Sequence, residues 1–270
     1  MTPLEAALLG LLQGLTEFLP VSSSGHLVLG QALLGVRLPG VGFEVAMHVA
    51  TVVAVLVVYR RRILSLARGL FAGQRDATVY AAALAVASVP AAAAGLLARA
   101  FFEPVFERPP AVAGLLLLSG FFAWWIDGAA QRQASGGPAR ERLTLVDALF
   151  VGVAQAAAIL PGISRSGSTV AAGAAAGVEV VRMAEFSFLL SVPAIAGAAV
   201  LLLASGEATA SALSGPSLLS GFAVAMVSGV AAIRLFLRML RTRHFRWFAY
   251  YCWLLGGGFL LAAAAVPSLR

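Results

Sequence analysis

Long apolar runs separated by short polar segments cover most of the chain. Six of these runs are long enough to cross about 30 Å of hydrocarbon as an α-helix, which takes about 17–25 residues. They occupy residues 43–59, 77–98, 110–127, 184–204, 217–237 and 247–266. The pattern therefore predicts six transmembrane helices.

Two further apolar stretches, 4–35 and 145–178, are interrupted in the middle by polar residues. The first contains Pro20-Val-Ser-Ser-Ser-Gly-His26, and the second contains Pro161-Gly-Ile-Ser-Arg-Ser-Gly-Ser-Thr169. Each half is too short to span a bilayer, and irregular backbone survives at membrane depth only where protein or a water-filled cavity surrounds it. We interpret both stretches as re-entrant hairpins of two short helices.

The two halves of the chain repeat this pattern. A shift of 141 residues aligns Pro20 with Pro161 and Glu44 with Glu185. One additional residue in the second copy aligns Ser22, Ser24 and Gly25 with Ser164, Ser166 and Gly167. Each copy has an odd number of spans, so the copies insert in opposite orientations, as in inverted-topology repeats whose broken helices meet near the midplane. We predict that the two polar runs face each other.

These observations predict an all-α integral membrane protein with an inverted-topology repeat, six transmembrane helices and two re-entrant hairpins. The first repeat covers residues 1–127, with its hairpin at 4–35, and the second covers residues 128–270, with its hairpin at 145–178. Together they form one integrated membrane domain.

The composition agrees with a membrane protein. Hydrophobic residues make up 60% of the chain and charged residues 11%, whereas a soluble domain has about 45–50% and about 25%. This argues against a water-soluble enzyme, a disordered chain and a nucleic-acid-binding domain, so we expect no nucleic-acid partner. The single cysteine, Cys252, lies in an apolar segment, and we expect it to fill the core.

The net charge of +7 comes from arginine, because the chain has no lysine. Most arginines fall in three clusters that we predict to be loops. The clusters are Arg60, Arg61, Arg62, Arg68 and Arg75; then Arg132, Arg140 and Arg142; then Arg234, Arg238, Arg241, Arg243 and Arg246. The positive-inside rule places these loops in the cytoplasm.

The first hairpin carries an ionisable residue at membrane depth. Gln13 and Glu17 are four residues apart and share one helical face. An ionisable residue in a membrane segment is by default a candidate functional residue. The structural alternatives are an interfacial Glu17 that reaches water and a Gln13 that hydrogen-bonds between packed helices.

Three serines and a histidine precede the second helix of this hairpin. Ser22, Ser23 and Ser24 suit helix capping, but a helix start also offers free N–H groups and a positive dipole to an anion such as phosphate. His26 is either a satisfied core histidine or a neutral imidazole suited to proton transfer.

Arg165 is the most informative residue of the second hairpin. A buried arginine requires an anionic partner, and its planar fork binds phosphate oxygens in pairs. A structural ion pair with Glu17 is the alternative. Ser164, Ser166 and Thr169 supply neighbouring hydroxyls. We interpret Glu44 and Glu185 as structural, and His48 stays ambiguous.

Both polar motifs resemble the signature stretches of the bacterial undecaprenyl-pyrophosphate phosphatases, also known as bacitracin-resistance proteins. These stretches are Gln13-Gly-Leu-Thr-Glu17 with the Pro20–His26 run, and the Pro161–Thr169 run; the likeness extends to Phe186-Ser-Phe-Leu-Leu-Ser-Val-Pro193. The resemblance implies hydrolysis of undecaprenyl pyrophosphate to undecaprenyl phosphate and inorganic phosphate, which recycles the lipid carrier of cell-wall synthesis. It also implies a bacterial inner-membrane location, an active site open to the exterior and a divalent cation, Mg²⁺ or Ca²⁺.

Carried over by position, the resemblance gives Ser23 the role of nucleophile and His26 that of its neighbouring histidine. It makes Gln13 and Glu17 the family's paired motif, and Ser164, Arg165 and Thr169 its phosphate-binding hydroxyls and arginine. With the residue patterns above, we expect catalysis by Glu17, Ser23, His26 and Arg165. We expect metal binding by Glu17 and Gln13, and substrate binding by Gln13, Ser22, Ser24, Ser164, Ser166 and Thr169. Many family members have Glu where this chain has Gln13, so this chain has one carboxylate fewer for a metal.

Three hypotheses follow for the function. In the first, the chain is a phosphatase of a polyprenyl pyrophosphate lipid, in which Ser23 attacks phosphorus, Glu17 binds metal or acts as base, and His26 moves the proton. In the second, it is a transporter or flippase of an anionic or lipid-phosphate substrate, which needs no nucleophile. A non-catalytic scaffold, the third, leaves Arg165 unexplained. Membrane lipids are expected partners, and a homodimer is compatible with the sequence.

Overall fold

The computed structural model describes residues 1–34, 41–97, 99–205, 215–242 and 244–266. These residues form α-helices and no strand, with one isolated bridge between Arg140 and Val178. The helices are α1 Pro3–Phe18, α2 Ser23–Leu34, α3 Val41–Phe71, α4 Arg75–Leu97, α5 Arg99–Phe106, α6 Pro109–Ala134, α7 Leu145–Ala157, α8 Arg165–Ala175, α9 Val180–Ser205, α10 Gly215–Thr242 and α11 Arg246–Ala265. The predicted all-α class is confirmed.

Six of the described helices are long and apolar enough to cross a membrane, as the sequence predicts. Their spanning parts are Gly42–Phe71, Arg75–Leu97, Pro109–Ala134, Val180–Leu201, Gly215–Thr242 and Arg246–Ala265. The chain is therefore a multi-pass membrane protein.

The arginine clusters lie largely in helices, and their placement in loops was wrong. Arg60, Arg61, Arg62 and Arg68 belong to α3, which runs to Phe71 with one non-helical residue, Tyr59. The helix α10 likewise includes Arg234, Arg238 and Arg241. Because arginine is a good helix former, these helices continue beyond their apolar parts. Arg140 and Arg142 do lie between helices, whereas Arg243 falls outside the described residues.

Each predicted hairpin is a pair of short helices, and each first helix begins with the same cap. In α1, the Thr2 hydroxyl accepts from the Glu5 amide at 3.2 Å and the Glu5 carboxylate accepts from the Thr2 amide at 2.8 Å. Thr144 and Asp147 form the same reciprocal pair at the start of α7. These capping boxes satisfy amides that would otherwise lack a partner. Insertion of the hairpins into the bilayer from opposite sides stays a prediction.

The first helix of each hairpin packs on the middle span of the other repeat. A Cβ atom on Gly10 of α1 would overlap the carbonyl oxygen of Gly221 in α10, and one on Gly152 of α7 would lie 2.6 Å from the carbonyl oxygen of Ala87 in α4. Both helix pairs therefore rely on glycine for close backbone approach.

Two polar contacts at the helix starts show in which direction α1 and α7 run. The Ser220 hydroxyl bonds the Pro3 carbonyl oxygen, so α1 starts beside the start of α10. Arg142, just before α7, pairs with Asp76 at the start of α4. Gly221 and Gly229 of α10 lie beside Met47 and Ala54 of α3 in the same order, so α10 is parallel to α3. The start of α3 and the end of α4 line one cavity, so α4 is antiparallel to α3. Therefore α1 and α7 run in opposite directions. This is the relationship that an inverted repeat requires.

A chain of aromatic rings anchors the first hairpin to the core. Phe18, at the end of α1, meets Phe188 of α9 with ring centroids 5.4 Å apart. Phe188 contacts Phe236 of α10 at 5.1 Å, and Phe236 contacts Phe245 at 4.8 Å, all edge to face. Such contacts add to the burial of apolar area, and they fix the position of the polar residues next to Phe18.

Candidate active site

The two polar turns meet, as the repeat predicts. The Ser22 hydroxyl accepts a hydrogen bond from the Gly162 amide at 3.1 Å. Ser164 and Ser166 donate from the second turn to the Leu19 carbonyl oxygen of the first, at 3.4 and 3.1 Å. These three hydrogen bonds join the two repeats directly.

Both turns require unusual backbone conformations. Ser22 has a φ of 65°, in the left-handed region that few residues other than glycine adopt, and Gly162 has a φ of 97°. The cost at Ser22 is offset by its hydroxyl, which bonds the Gly162 amide and the Gly25 amide of its own helix. Strained residues of this kind are common at functional sites.

Ser22 and Ser164 each cap the helix that follows. The Gly25 amide donates to the Ser22 hydroxyl at 3.3 Å, and the Gly167 amide donates to the Ser164 hydroxyl at 3.1 Å. The capping role given as the alternative for Ser22 is therefore present, and Ser164 has the same role in the second repeat. The starts of α2 and α8 lie in the same region, so their positive dipole ends reinforce each other there.

Glu17 is the centre of a buried polar network. Its Oε1 accepts from Arg165 Nη2 at 2.9 Å, and its Oε2 accepts from the Ser23 hydroxyl at 2.7 Å and from Gln13 Nε2 at 3.0 Å. His48 Nε2 lies 3.5 Å from the same Oε2. The Glu17 side chain is only 6% exposed. Arg165 and Ser23 thus bond the same carboxylate from different polar runs, and the ion pair given as the alternative for Arg165 is present.

The Arg165 guanidinium is held on both sides. Besides Glu17, it donates through Nη1 to the Ser187 carbonyl oxygen at 3.0 Å. Thr169 fixes this arrangement, because its hydroxyl bonds the Arg165 carbonyl oxygen and the Ser187 hydroxyl, each at 2.7 Å. The remaining N–H groups of Arg165 can therefore meet an anion in a fixed orientation.

A cavity of about 470 Å³ opens beside this network. Its polar lining is Glu17, Ser22, Ser23, Ser24, Glu44, His48, Ser88, Gln155, Ser164 and Arg165. The rest of the wall is apolar and comes mainly from α4, α9 and the turn that follows α7. Leu96 and Leu201 belong to this wall and are 60% and 49% exposed on the protein surface. The cavity therefore joins a charged end to an apolar opening between helices.

Four of the predicted residues are not part of the cavity lining. Gln13, Ser166 and Thr169 are fully buried and bonded within the protein. His26 donates through Nδ1 to the Ser22 carbonyl oxygen at 2.8 Å, so its Nε2 is left to accept from the Tyr251 hydroxyl at 2.7 Å. In this arrangement His26 supports the first turn and does not line the cavity.

A second cavity, of about 630 Å³, lies at the other end of α4 and α9. Its charged residues include Arg62, Arg142 and Glu185, and Arg62 bonds Glu185 at 2.8 Å. It contains no residue of either polar motif. The smaller cavity is therefore the candidate active site.

The donor atoms of the site fit a hard divalent cation shared with a substrate. Magnesium usually binds one or two carboxylates together with substrate phosphates. Glu17 supplies one carboxylate, and Gln13 Oε1 is buried without a hydrogen-bond partner. The described part of the chain has no cluster of three or more His, Cys, Asp or Glu residues that could hold a metal alone. A cation would thus need the substrate's own oxygens.

Comparison with known proteins agrees with this geometry. Residues 6–258 match the family model described as bacitracin resistance protein BacA. The chain belongs to the BacA family. It is 41% identical over 268 residues to the undecaprenyl-diphosphatase of Carboxydothermus hydrogenoformans, covering 98% of this chain and 99% of that protein. It is 43% identical over 263 residues to the undecaprenyl-diphosphatase of Syntrophotalea carbinolica, covering 96% and 98%.

In this BacA-family chain the structure adds residues that the motifs do not contain. His48 and Glu44 of α3 line the cavity, although the sequence left the first ambiguous and assigned the second to structure. Gln155 lines it from α7. Ser187 holds Arg165, and Tyr251 holds His26. A polar residue within an apolar run was the only sequence signal for Gln155 and His48.

Proposed function

We propose that the protein hydrolyses undecaprenyl pyrophosphate to undecaprenyl phosphate and inorganic phosphate. The observation that carries the proposal is the hydrogen bond from the Ser23 hydroxyl to Glu17, beside Arg165, in a cavity with an apolar opening. The names of the relatives support the same reaction. A transporter of this shape would not require a hydroxyl bonded to a buried carboxylate.

Ser23 is the proposed nucleophile and Glu17 its base. The hydroxyl points its proton at Glu17 Oε2 from 2.7 Å, within the range for proton transfer. As the Ser23 Oγ–phosphorus bond forms, the proton passes to Glu17 and the bond from phosphorus to the lipid monophosphate breaks. Water then attacks the phosphoserine, which releases inorganic phosphate and restores the serine.

Arg165 and the two helix starts stabilise the charge of the reacting phosphates. Phosphoryl transfer relies mainly on positioning and on charge stabilisation. The guanidinium is fixed between Glu17 and Ser187, so it needs no reorganisation when charge develops. Ser24 and Ser164 add hydroxyls from the cavity wall.

A divalent cation, Mg²⁺ or Ca²⁺, would be held by Glu17 and Gln13 Oε1 together with substrate oxygens. When bound, it would neutralise pyrophosphate charge. The Glu17 contacts to Ser23 and Arg165 stand without it.

His26 is proposed to move the proton or to hold the turn. Its bonds to the Ser22 carbonyl oxygen and to Tyr251 favour a positioning role. The role of proton carrier, inferred from a neutral imidazole at the start of α2, stays a prediction.

The apolar side of the cavity suits a polyprenyl chain. Leu96 and Leu201 lie in the wall and reach the surface, so the lipid can remain in the bilayer while its head group enters. We place the protein in the bacterial inner membrane with the cavity toward the exterior. The arginine-rich end of α3 lies opposite its cavity-lining end, which agrees with the positive-inside rule.

Phosphate release by the purified protein in detergent tests the reaction. With undecaprenyl pyrophosphate and Mg²⁺ or Ca²⁺, the wild type should release inorganic phosphate, and Ser23→Ala and Glu17→Gln should lose at least about 100-fold. Ser88→Ala is the matched control, because Ser88 lines the cavity but bonds the Leu84 carbonyl oxygen of its own helix. No release by the wild type would refute the function.

Acid quenching of a reaction with terminally labelled substrate tests the nucleophile separately. The label should be recovered as phosphoserine at Ser23 and should be absent from Ser23→Ala. Turnover without any labelled serine would replace serine attack by direct attack of water.

A further inference from the structure

Gln155 is a buried polar residue that the mechanism above does not use. Its side chain lies in the wall of the 470 Å³ cavity and the residue is only 3% exposed. Neither its Nε2 nor its Oε1 has a hydrogen-bond partner among the described residues. A buried amide without partners destabilises the fold, so such groups are rare and call for an explanation.

The repeat explains why this amide has no partner. A shift of 142 residues, which aligns Ser22 with Ser164, also aligns Gln13 with Gln155. In α1, Gln13 Nε2 donates to Glu17, four residues later. The residue four positions after Gln155 is Ile159, which lies just beyond the end of α7 and has a side chain without an acceptor. The second repeat therefore retains the amide but not the carboxylate that would bind it.

The surroundings of Gln155 indicate what the missing partner is. Gln155 is the only residue of α7 in the cavity wall, and Ala158 and Ile159 follow it there from the turn after the helix, so its neighbours on this side are apolar. Arg165 and the start of α8 belong to the same cavity and favour an anion there. Phosphate oxygens are strong acceptors, so an amide N–H at this wall is suited to donate to them.

We propose that Gln155 is a substrate-binding residue whose Nε2 donates a hydrogen bond to the pyrophosphate head group. This rests on the function proposed above and adds a residue to its site. Arg165 and Gln155 then hold the head group from the two helices of the second hairpin, while Ser23 reaches it from the first. The pyrophosphate is then the hydrogen-bond partner that Gln155 Nε2 lacks within the described part of the protein.

Gln155→Met tests this directly, because methionine has a similar shape and lacks the amide. Two opposite effects are expected in one variant. The ligand-free protein should unfold at the same or a higher temperature than wild type, since an unsatisfied amide is removed. The KM for the lipid pyrophosphate should rise at least about 10-fold, the loss expected for one hydrogen bond to a charged group.

Gln155→Glu and Ser88→Ala sharpen the comparison. The carboxylate keeps the size but repels phosphate, so its KM should rise more than that of Gln155→Met. Ser88→Ala removes a cavity hydroxyl that already has a partner, and both its melting temperature and its KM should stay near wild type. A lower melting temperature with unchanged KM in Gln155→Met would identify a structural glutamine and overturn the proposal.

A binding measurement separates this proposal from the function on which it rests. A polyprenyl methylenediphosphonate keeps the pyrophosphate shape but is not hydrolysed at the bridge. Its stabilisation of the detergent-solubilised protein should be strong in wild type and reduced in Gln155→Met, whether or not phosphate is released from the natural lipid. Equal stabilisation of both proteins, or of neither, would refute Gln155 as a ligand.

Discussion

Glu17 Oε1 and Arg165 Nη2 lie 2.9 Å apart although 148 residues separate them in the chain. Each comes from a different repeat, and their side chains are 6% and 15% exposed. An unpaired charge at this depth costs several kcal/mol, so the pair forms only when the two hairpins come together. The carboxylate that bonds Ser23 is thus positioned by the same contact that joins the repeats.

Loss of the ion pair between Glu17 and Arg165 should lower both activity and stability. Arg165→Ala should abolish phosphate release and also lower stability by about 3–5 kcal/mol, because it leaves Glu17 buried and unpaired. Arg165→Lys should not restore activity, since an ammonium cannot bond Glu17 and the Ser187 carbonyl oxygen in the same fork geometry. Phosphate release and melting temperature in detergent measure the two effects.

A double variant separates the two effects of Arg165. Glu17→Gln combined with Arg165→Met removes both charges, so its melting temperature should recover most of what Arg165→Ala loses while activity stays absent. A double variant as unstable as Arg165→Ala would show that the pair is not the source of the instability.

Changes at the two histidines of the first repeat should affect kcat to different extents. His48 Nδ1 donates to the Glu44 carbonyl oxygen, which directs Nε2 toward Glu17 and the cavity. His48→Leu should therefore lower kcat by roughly tenfold, because it removes the imidazole that lies 3.5 Å from Glu17 Oε2 in the cavity wall. His48→Gln, which can still reach Glu17, should retain more activity.

Tyr251→Phe is the companion variant, since it removes the hydroxyl that bonds His26. If His26 only supports the turn, this variant should change kcat less than His48→Leu does. A larger loss in Tyr251→Phe would instead favour His26 as the proton carrier.

The sequence predicted the spans and the motif residues better than it predicted the shape of the cavity. The length of an apolar run identifies a membrane span, because the thickness of the bilayer determines how many apolar residues a span needs. The two motifs contain Glu17, Ser23 and Arg165. The position of the His26 side chain could not be predicted in the same way, because its partner Tyr251 is 225 residues away in the chain. His48 and Gln155 look like isolated polar residues in apolar helices until the packing of α3 and α7 places both in one wall.

The helix ends were missed for a related reason. Arginine marks the membrane surface in the sequence, but it also favours helix. The helices α3 and α10 therefore continue through Arg68 and Arg241, where a change in polarity alone suggests a loop.

Glycines at the contacts between repeats should not tolerate alanine. In Gly10→Ala and Gly152→Ala the new methyl group meets backbone of α10 or α4, so both variants should melt several degrees below wild type. Gly114→Ala is the control, because a Cβ there has open space, and alanine should leave stability unchanged or raise it by up to about 1 kcal/mol. Equal melting temperatures for all three would contradict the proposed close packing.

The start of α7 should make stability depend on pH in the acid range. Asp147 accepts two hydrogen bonds from Arg140, at 2.9 and 3.2 Å, and one from the Thr144 amide at 2.9 Å. Burial raises the pKa of the Asp147 carboxyl, but the bonds from Arg140 and Thr144 outweigh it, so the pKa lies below its ordinary value.

A lowered pKa in the folded state means that this carboxylate stabilises the protein above the ordinary pKa of aspartate, and that the contribution is lost as the pH falls through the folded-state pKa. Asp147→Asn should therefore melt below wild type at pH 7, and the difference should shrink as the pH is lowered past about 4. Melting curves of both proteins across this range measure it. A difference that persists unchanged into acid would show that the Asp147 charge does not stabilise the start of α7.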